Sequence, residues 1–316
     1  CTFNSTFDFG KKTTVTISRN GDLISNMYLE IKVPALKQAQ PTGAGTINTF
    51  VQWTNGLGNA LIKTVAIEIG GQEIDKHYGE WMDIWNELNV SVNHRDGYDF
   101  MVNNKSSGST PNAKNKLTLY VPLRFWFNRN PGLALPLIAL QYHEVKINVE
   151  IENITKLIKT DVVDLTTVED ASSTASSGSG LSEASITSAS LYVDYIYLDT
   201  DERRRFAQVS HEYLIEQVQY TGAESIEANG TNEKFNLNFN HPVKSLHWVI
   251  QDDAFLNGSM VVSSPLVDGK NVKGGQKLVY YVAQSTDGKN DTFEKGKIMI
   301  NGHDRMPERD SDYFRL

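Results

Sequence analysis

The side chains best suited to metal or acid–base chemistry are the histidines, the carboxylates and a lone cysteine. The seven histidines are spread along the chain: His77, His94, His143, His211, His241, His247 and His303. No two of them have the HxH or HExxH spacing of cupin-type and zincin metal sites. Cys1 is the only cysteine, which excludes an internal disulfide and a cysteine-based zinc site. We therefore predict no metal site and no cofactor.

A second candidate for chemistry is a group of carboxylates beside two tryptophans. Asp75, Glu80 and Asp83 could imitate the carboxylate pair of a glycosidase. Apolar residues recur at helical spacing in segment 78–88, namely at Trp81, Ile84, Trp85 and Leu88. This spacing predicts a short amphipathic helix on which the carboxylates are solvated polar positions. We interpret the tryptophans as core anchors, with ligand stacking as the alternative.

Motifs for nucleotide or acyl-transfer chemistry do not occur in the sequence. It has no phosphate-binding glycine loop and no nucleophile elbow of the form G-x-S-x-G. The prediction is that the protein is not an enzyme and has no catalytic residues. Its net charge of −8 gives no general attraction for phosphate backbones, so no direct nucleic-acid contact is expected. The arginines at 203–205 follow acidic residues, and we interpret them as a solvated or salt-bridged helix face.

Alternation of apolar and polar residues predicts β-strands along most of the chain. In a strand predicted from Gln141, every second residue from Val145 to Ile151 is apolar, which is typical of a strand half buried against a second sheet. His143 lies on the same face and is expected to be a core histidine. Further strands are predicted around Val15–Ile17, Met27–Val33, Val65–Ile69, Leu117–Val121 and Leu191–Tyr197. Short strands with turns between them and few helices predict an antiparallel sandwich.

An apolar loop, Phe125–Leu140, precedes the strand from Gln141. Pro131 and Pro136 forbid a continuous helix through it. It contains more apolar residues than one loop needs, so it must be buried. Two alternatives are open: the loop covers its own sandwich, or it packs against another domain or subunit.

The composition indicates a globular chain. Apolar residues make up 40% and aromatic residues 10% of the 316 positions. Segments 40–52 and 102–116 are expected to be long surface loops, and 170–190, built of small polar residues, a mobile loop. No signal peptide is visible, and no apolar run approaches the roughly 18 residues of a membrane helix. Because the chain opens on Cys1 and stops inside a pattern, we expect it to be a fragment.

A weak internal repeat indicates two domains of one architecture. Ile67–Gly71 and Ile298–Gly302 are each an alternating strand ending in a glycine turn, followed by a polar stretch and aromatics. Upstream, strands at 15–17 and 29–33 correspond to strands at 235–239 and 246–250. We therefore predict a first domain at 1–199, a helical linker at 200–211 and a second domain at 212–316.

Four segments resemble a known family. Residues 7–24, 56–88, 123–147 and 191–207 are similar to major capsid proteins of nucleocytoplasmic large DNA viruses, nearest to those of phycodnaviruses and their mimivirus-like relatives. The resemblance implies an all-β double jelly roll, two tandem eight-stranded sandwiches with a few short helices. By the same resemblance, this chain lacks some tens of residues at its start and the latter part of the second sandwich.

The resemblance also implies a function and partners. Such proteins form homotrimers of pseudo-hexagonal outline, which tile an icosahedral shell around an internal membrane. The expected partners are the chain itself, neighbouring capsomers and minor capsid or penton proteins, with the internal membrane close by. The expected location is the virion, assembled in the host cytoplasm.

Two other functions stay open. A carbohydrate-binding jelly roll would have exposed Trp and Tyr on a concave sheet face. A jelly-roll enzyme would need converging carboxylates or histidines.

Overall fold

The structure is a computed structural model. It describes residues 1–38, 51–104, 116–160, 168–170, 184–227, 230, 232–251, 262–263, 271–274 and 293–315. Most of each predicted long loop, at 40–52, 102–116 and 170–190, lies outside the described residues.

Strands dominate the described part of the chain. They are β1 (Lys12–Thr16), β2 (Leu23–Val33), β3 (Leu36–Gln38), β4 (Val51–Trp53), β5 (Ile62–Ile69), β6 (Gln72–Tyr78), β7 (Leu117–Pro122), β8 (Leu135–Pro136), β9 (Val145–Ile151), β10 (Ile158–Thr160), β11 (Val168–Asp170), β12 (Ser188–Ile196), β13 (Val262–Ser263), β14 (Asn271–Gly274), β15 (Lys295–Ile300) and β16 (His303–Asp310). The α-helices are α1 (Leu57–Leu61), α2 (Gly79–Asn89), α3 (Val92–Val102), α4 (Trp126–Arg129), α5 (Thr200–Gln208) and α6 (Ser311–Arg315).

Two antiparallel sheets form the main sandwich. One has the strand order β1-β9-β5-β6, and the other has the order β12-β2-β7, with β8 also paired to β2. Their apolar side chains form one core cluster, in which Val15, Ile147 and Val65 from the first sheet and Leu29 and Leu191 from the second are fully buried. Burying one such side chain contributes roughly 1.5–3 kcal/mol. Smaller sheets join β11 to β3 and give the order β13-β14-β10-β4.

Strand β9 confirms the predicted alternation but not its start. Every second residue from Val145 to Ile151 is buried, whereas His143 is exposed. The strand starts later because residues 140–143 form a turn, in which the His143 N–H donates to the Leu140 carbonyl at 2.9 Å. The Arg19 guanidinium donates to the carbonyls of Leu140 and His143. The prediction of His143 as a core histidine is therefore wrong.

The apolar loop covers its own sandwich. Trp126 and Leu137 are 3% and 2% exposed and belong to the core cluster. A hydrogen bond from the Asn128 side chain to the Ser25 carbonyl (2.6 Å) attaches α4 to β2. Strand β8 pairs with the first two residues of β2. Of the two alternatives, burial against the loop's own sandwich is confirmed for these side chains, and packing against another domain or subunit stays a prediction.

Helix α2 is confirmed, with a different buried face. Gly79, Met82 and Asn86 are buried, whereas Leu88 is 63% exposed. A glycine is required at position 79 because a Cβ there would lie 2.3 Å from the Ile62 carbonyl oxygen. The two tryptophans of α2 are half-buried instead of being core anchors. The sequence did not predict α3, in which only Tyr98 and Val102 are buried.

The internal repeat is a shared strand–turn–strand–helix unit. In the first copy β5, Gly70-Gly71 and β6 lead into α2; in the second, β15, Asn301-Gly302 and β16 lead into α6. Both residues of each turn have positive φ, between 52° and 85°, as a two-residue type I′ hairpin turn requires. The upstream match is not found, because the described residues at 235–239 and 246–250 form no strand.

We expect Trp126→Ala to destabilise the folded chain itself. Removing a buried indole leaves a cavity and should lower the free energy of unfolding by about 3–5 kcal/mol, measured by urea denaturation followed by far-UV circular dichroism. Tyr142, 94% exposed in the same segment, is the matched control, and Tyr142→Ala should change stability by less than about 0.5 kcal/mol. Unchanged unfolding with weakened self-association would contradict burial within one chain.

Candidate functional site

Among the residues that the structure describes, the most deeply buried ionisable pair is on β6, at the edge of the first sheet. Asp75 and His77 are two residues apart, so both side chains point to the same face. The Nε2 atom of His77 lies 2.9 Å from Oδ2 of Asp75, and both side chains are fully buried. The His77 ring stacks on Phe125 with ring centroids 4.6 Å apart. The apolar loop thus covers this pair and closes it to solvent.

Residues 216–220, which we call the strap, lie along the free edge of β6. The Val218 N–H donates to Oδ1 of Asp75 at 3.0 Å, and the Gln217 amide donates to the Ile74 carbonyl. Tyr220 contacts Tyr78 at the end of the strand, with ring centroids 4.8 Å apart. Asp75 therefore accepts from a residue 143 positions along the chain and attaches the strap to the sandwich.

An ion-pair network fixes the start of the strap. Arg129 of α4 lies 3.1 Å from Glu216 and places its guanidinium 4.0 Å from the centre of the Trp85 ring. Burial lowers the pKa of Arg129, while Glu216 and Asp75 oppose that shift. A hydrogen bond from Lys244, which also pairs with Glu216, lowers the pKa of Glu216. The strap is thus attached by charge as well as by main-chain hydrogen bonds.

A second polar cluster joins the three helices α1, α2 and α3. The Asn59 amide donates to Oδ1 of Asp83 (2.9 Å) and to the Tyr98 hydroxyl (2.7 Å). The Asn86 amide donates to the same hydroxyl (2.7 Å) and to the Met82 carbonyl (2.6 Å). We call Asn59, Asp83, Asn86 and Tyr98 the helical cluster. Burial raises the pKa of Asp83 to about 6 and raises that of Tyr98.

A half-open groove lies between the apolar loop and the residues after α5. Its volume is about 580 Å³, and most of its lining is apolar. Ile138 and Leu140 line one side, and Phe206, Tyr213 and Ile215 the other. The apolar loop therefore faces the second half of the chain across this groove, and its residues Trp126 and Leu135 also line it.

A row of tyrosines crosses the outer face of the second sheet. Tyr28 of β2 and Tyr192 of β12 are cross-strand partners, with parallel rings 5.1 Å apart. Tyr120 of β7 stands edge-on to Tyr28 at 6.1 Å, and Tyr192 is 45% exposed. Glu30 and Asp194 are polar neighbours on the same strands. This face offers aromatic contacts and hydrogen-bond acceptors to a partner.

The structure separates the residues that the sequence grouped as chemical candidates. Asp75 faces His77 and the strap, whereas Asp83 faces Asn59 in the helical cluster. His247 contacts the Trp81 ring at 5.3 Å. Arg203 pairs with Asp22 at 3.0 Å, which agrees with a salt-bridged face for the arginine triplet.

Across the described ranges, no group of three or more His, Cys, Asp or Glu side chains could hold a metal ion. No helix among the residues described is long and apolar enough to span a bilayer. The architecture of the chain is that of a β-sandwich protein. Its buried ionisable side chains hold separate segments of the chain together.

Comparison with known sequences gives the family. The family model described as major capsid protein N-terminus matches residues 1–199. That described as large eukaryotic DNA virus major capsid protein matches residues 202–316. The chain therefore belongs to the major capsid proteins of large eukaryotic DNA viruses.

Two viral major capsid proteins are similar over most of the chain. The major capsid protein of Pyramimonas orientalis virus is 46% identical over 318 residues, covering 100% of this chain and 64% of the relative. That of Phaeocystis pouchetii virus is 44% identical over 305 residues, covering 88% of this chain and 56% of the relative. The chain thus spans less than two thirds of the length of these relatives.

A solved structure is similar throughout. The quasi-atomic model of the PBCV-1 virus capsid has a TM-score of 0.70 and 33% identity, covering 99% of this chain and 70% of that one. The chain accordingly has the all-β double jelly-roll fold of these capsid proteins, with a few short helices.

We expect Asp75→Ala to release the strap. The substitution removes the carboxylate that accepts the Val218 N–H, a bond to a charged group that contributes about 1.5–3 kcal/mol. Exchange of the Val218 amide, measured by hydrogen–deuterium exchange, should accelerate by roughly 10- to 100-fold. Glu73, exposed on the same strand, is the control, and Glu73→Ala should leave that exchange unchanged. Equal protection in both variants would show that Asp75 does not attach the strap.

Proposed function

We propose that the chain is a structural capsid subunit that forms homotrimers of pseudo-hexagonal outline, and that these trimers tile an icosahedral viral shell. The observation that carries the proposal is the similarity to the PBCV-1 capsid model over 99% of the chain. A tandem pair of similar sandwiches supports it physically, because three chains then supply six nearly equivalent positions for hexagonal packing.

We propose the domain limits at 1–199, 200–211 and 212–316. Supporting this division, α5 is a separate surface helix whose start is capped by Asp199, with no buried residue along it. The main core cluster ends at Leu191. The repeat unit that ends in α2 recurs after the linker as β15, β16 and α6.

The proposed partners are other copies of the chain, first within a trimer and then in neighbouring capsomers. Minor capsid or penton proteins and proximity to an internal membrane belong to the same proposal, as does assembly in the host cytoplasm. The net charge of −8 supports the absence of direct nucleic-acid contact.

A purely structural role is also proposed, without catalytic activity. The Asp75–His77 pair is fully buried, and Asn59, Asn86 and Tyr98 of the helical cluster are buried as well. Their polar atoms hold segments of the chain and are closed to a substrate.

We expect the full gene product to elute as a trimer in size-exclusion chromatography with light scattering, with the mass of three chains. An unrelated β-sandwich protein of known monomeric mass calibrates the measurement. A monomer at micromolar concentration would contradict the capsid-subunit proposal, because stable capsomers require obligate interfaces.

The tyrosine row favours one second candidate, carbohydrate binding on the outer face of the second sheet. If this holds, the protein should be retained on an immobilised-glycan column, and Tyr192→Ala should weaken binding by about 3- to 10-fold, as expected for one aromatic contact of 0.5–1.5 kcal/mol. Tyr142→Ala removes an exposed tyrosine away from the row and is the control. A trimer that is not retained on any glycan column rejects this candidate.

A further inference from the structure

The helical cluster contains more hydrogen-bond acceptors than donors. Its unpartnered buried atoms, as far as the described residues show, are all oxygens: Oδ1 of Asn59, Oδ1 of Asn86 and Oδ2 of Asp83. Asn59 and Asn86 are only 1% and 3% exposed, so water does not reach these atoms freely. Leaving a buried polar atom without a partner costs about 1–3 kcal/mol. Among the described residues, these three oxygens therefore have no hydrogen-bond donor.

We propose that Asp83 is a proton-controlled latch of the helical layer, which holds α1, α2 and α3 together when protonated and loosens them when ionised. A protonated carboxyl adds an O–H donor within the cluster and leaves no charge to be buried. An ionised carboxylate adds a charge in a largely desolvated position, with one hydrogen bond from the described residues, that of Asn59. The latch is a property of the fold and does not depend on trimer formation.

The charged groups around Asp83 favour its protonated form. Glu80 and Glu87 on α2 repel an ionised Asp83. Arg95 on α3 attracts it, but Arg95 already pairs with Glu87 and lies 4.0 Å from Asp99. The further titratable groups that face the cluster are Tyr98 on α3 and Arg124 after β7. The nearby cation is thus shared among carboxylates, and an ionised Asp83 increases the local excess of negative charge.

The direction of the pH effect follows from the difference in the pKa of Asp83 between the closed and the open helical layer. Burial raises the pKa of Asp83 from 3.8 to about 6 in the closed layer, and in an open layer the exposed carboxyl returns to its ordinary value. Below pH 4 both forms are protonated, so the latch is fully closed. As the pH rises from about 4 to 6 only the open form ionises, and closure weakens until it levels off above pH 6. The whole shift corresponds to about 100-fold in the opening equilibrium.

The experiment is hydrogen–deuterium exchange of the α2 and α3 amides at pH 5 and pH 7, corrected for the intrinsic exchange rate. In the unmodified protein, protection should fall about tenfold between these two pH values. In Asp83→Asn, protection should be independent of pH and should exceed that of the unmodified protein at pH 7. Asp96→Asn removes an exposed carboxylate on α3 and should behave like the unmodified protein.

Two results would overturn the latch. One is protection of α2 and α3 in the unmodified protein that does not change between pH 5 and pH 7, a measurement that needs no variant to fold. The other is an Asp83→Asn protein, folded by circular dichroism, that keeps the full pH dependence.

Discussion

The structure depends on the burial of two sheet faces against each other. An antiparallel sandwich must place every second side chain of each strand in a common core, so any strand that loses its period of two loses its place in the sheet. Strand β9 has a buried residue at every second position and is paired on both sides, to β1 and β5. Loops and helices cover the parts of the core that the two sheets leave exposed. Trp126 and Leu137 of the apolar loop belong to this core.

The edge strands of the two sheets must also be covered, because an unpaired edge strand can pair with a strand of another chain. The strap covers the free edge of β6 with two hydrogen bonds: the Val218 N–H donates to the Asp75 carboxylate, and the Gln217 side-chain amide donates to the Ile74 carbonyl. At the edge of the other sheet, Cys1 and Leu191 exchange main-chain hydrogen bonds of 2.8 and 3.0 Å. Segments far away in sequence therefore cover one edge strand of each sheet, β6 and β12.

The spacing of apolar residues along the sequence correctly predicted individual strands, one helix and the hairpin turns. The alternation of β9, the helix at α2 and the paired hairpin turns at Gly70 and Asn301 follow from residue spacing and turn chemistry. Helix α3 has too few apolar residues to produce a helical pattern, and its buried Tyr98 is held by hydrogen bonds to Asn59 and Asn86. His143 satisfied the alternation, but the turn that precedes β9 removes it from the strand. Tertiary contacts overrode the pattern there.

The residues of the candidate site show why the hydrogen-bond partners of side chains were harder to predict than the strands and helices. A strand pattern places Asp75 and His77 on one face, but nothing near them in sequence identifies Val218 as the donor. Likewise, Asp83 has the spacing of a solvated helix position and becomes half-buried because α1 packs against α2. Several apolar residues along a strand give the same pattern, so the strand can be predicted even when one of them is missing. A buried carboxylate, in contrast, depends on one specific set of hydrogen-bond donors. Apolar spacing therefore determines which sandwich forms, and single polar side chains determine where the strap and the helices lie on it.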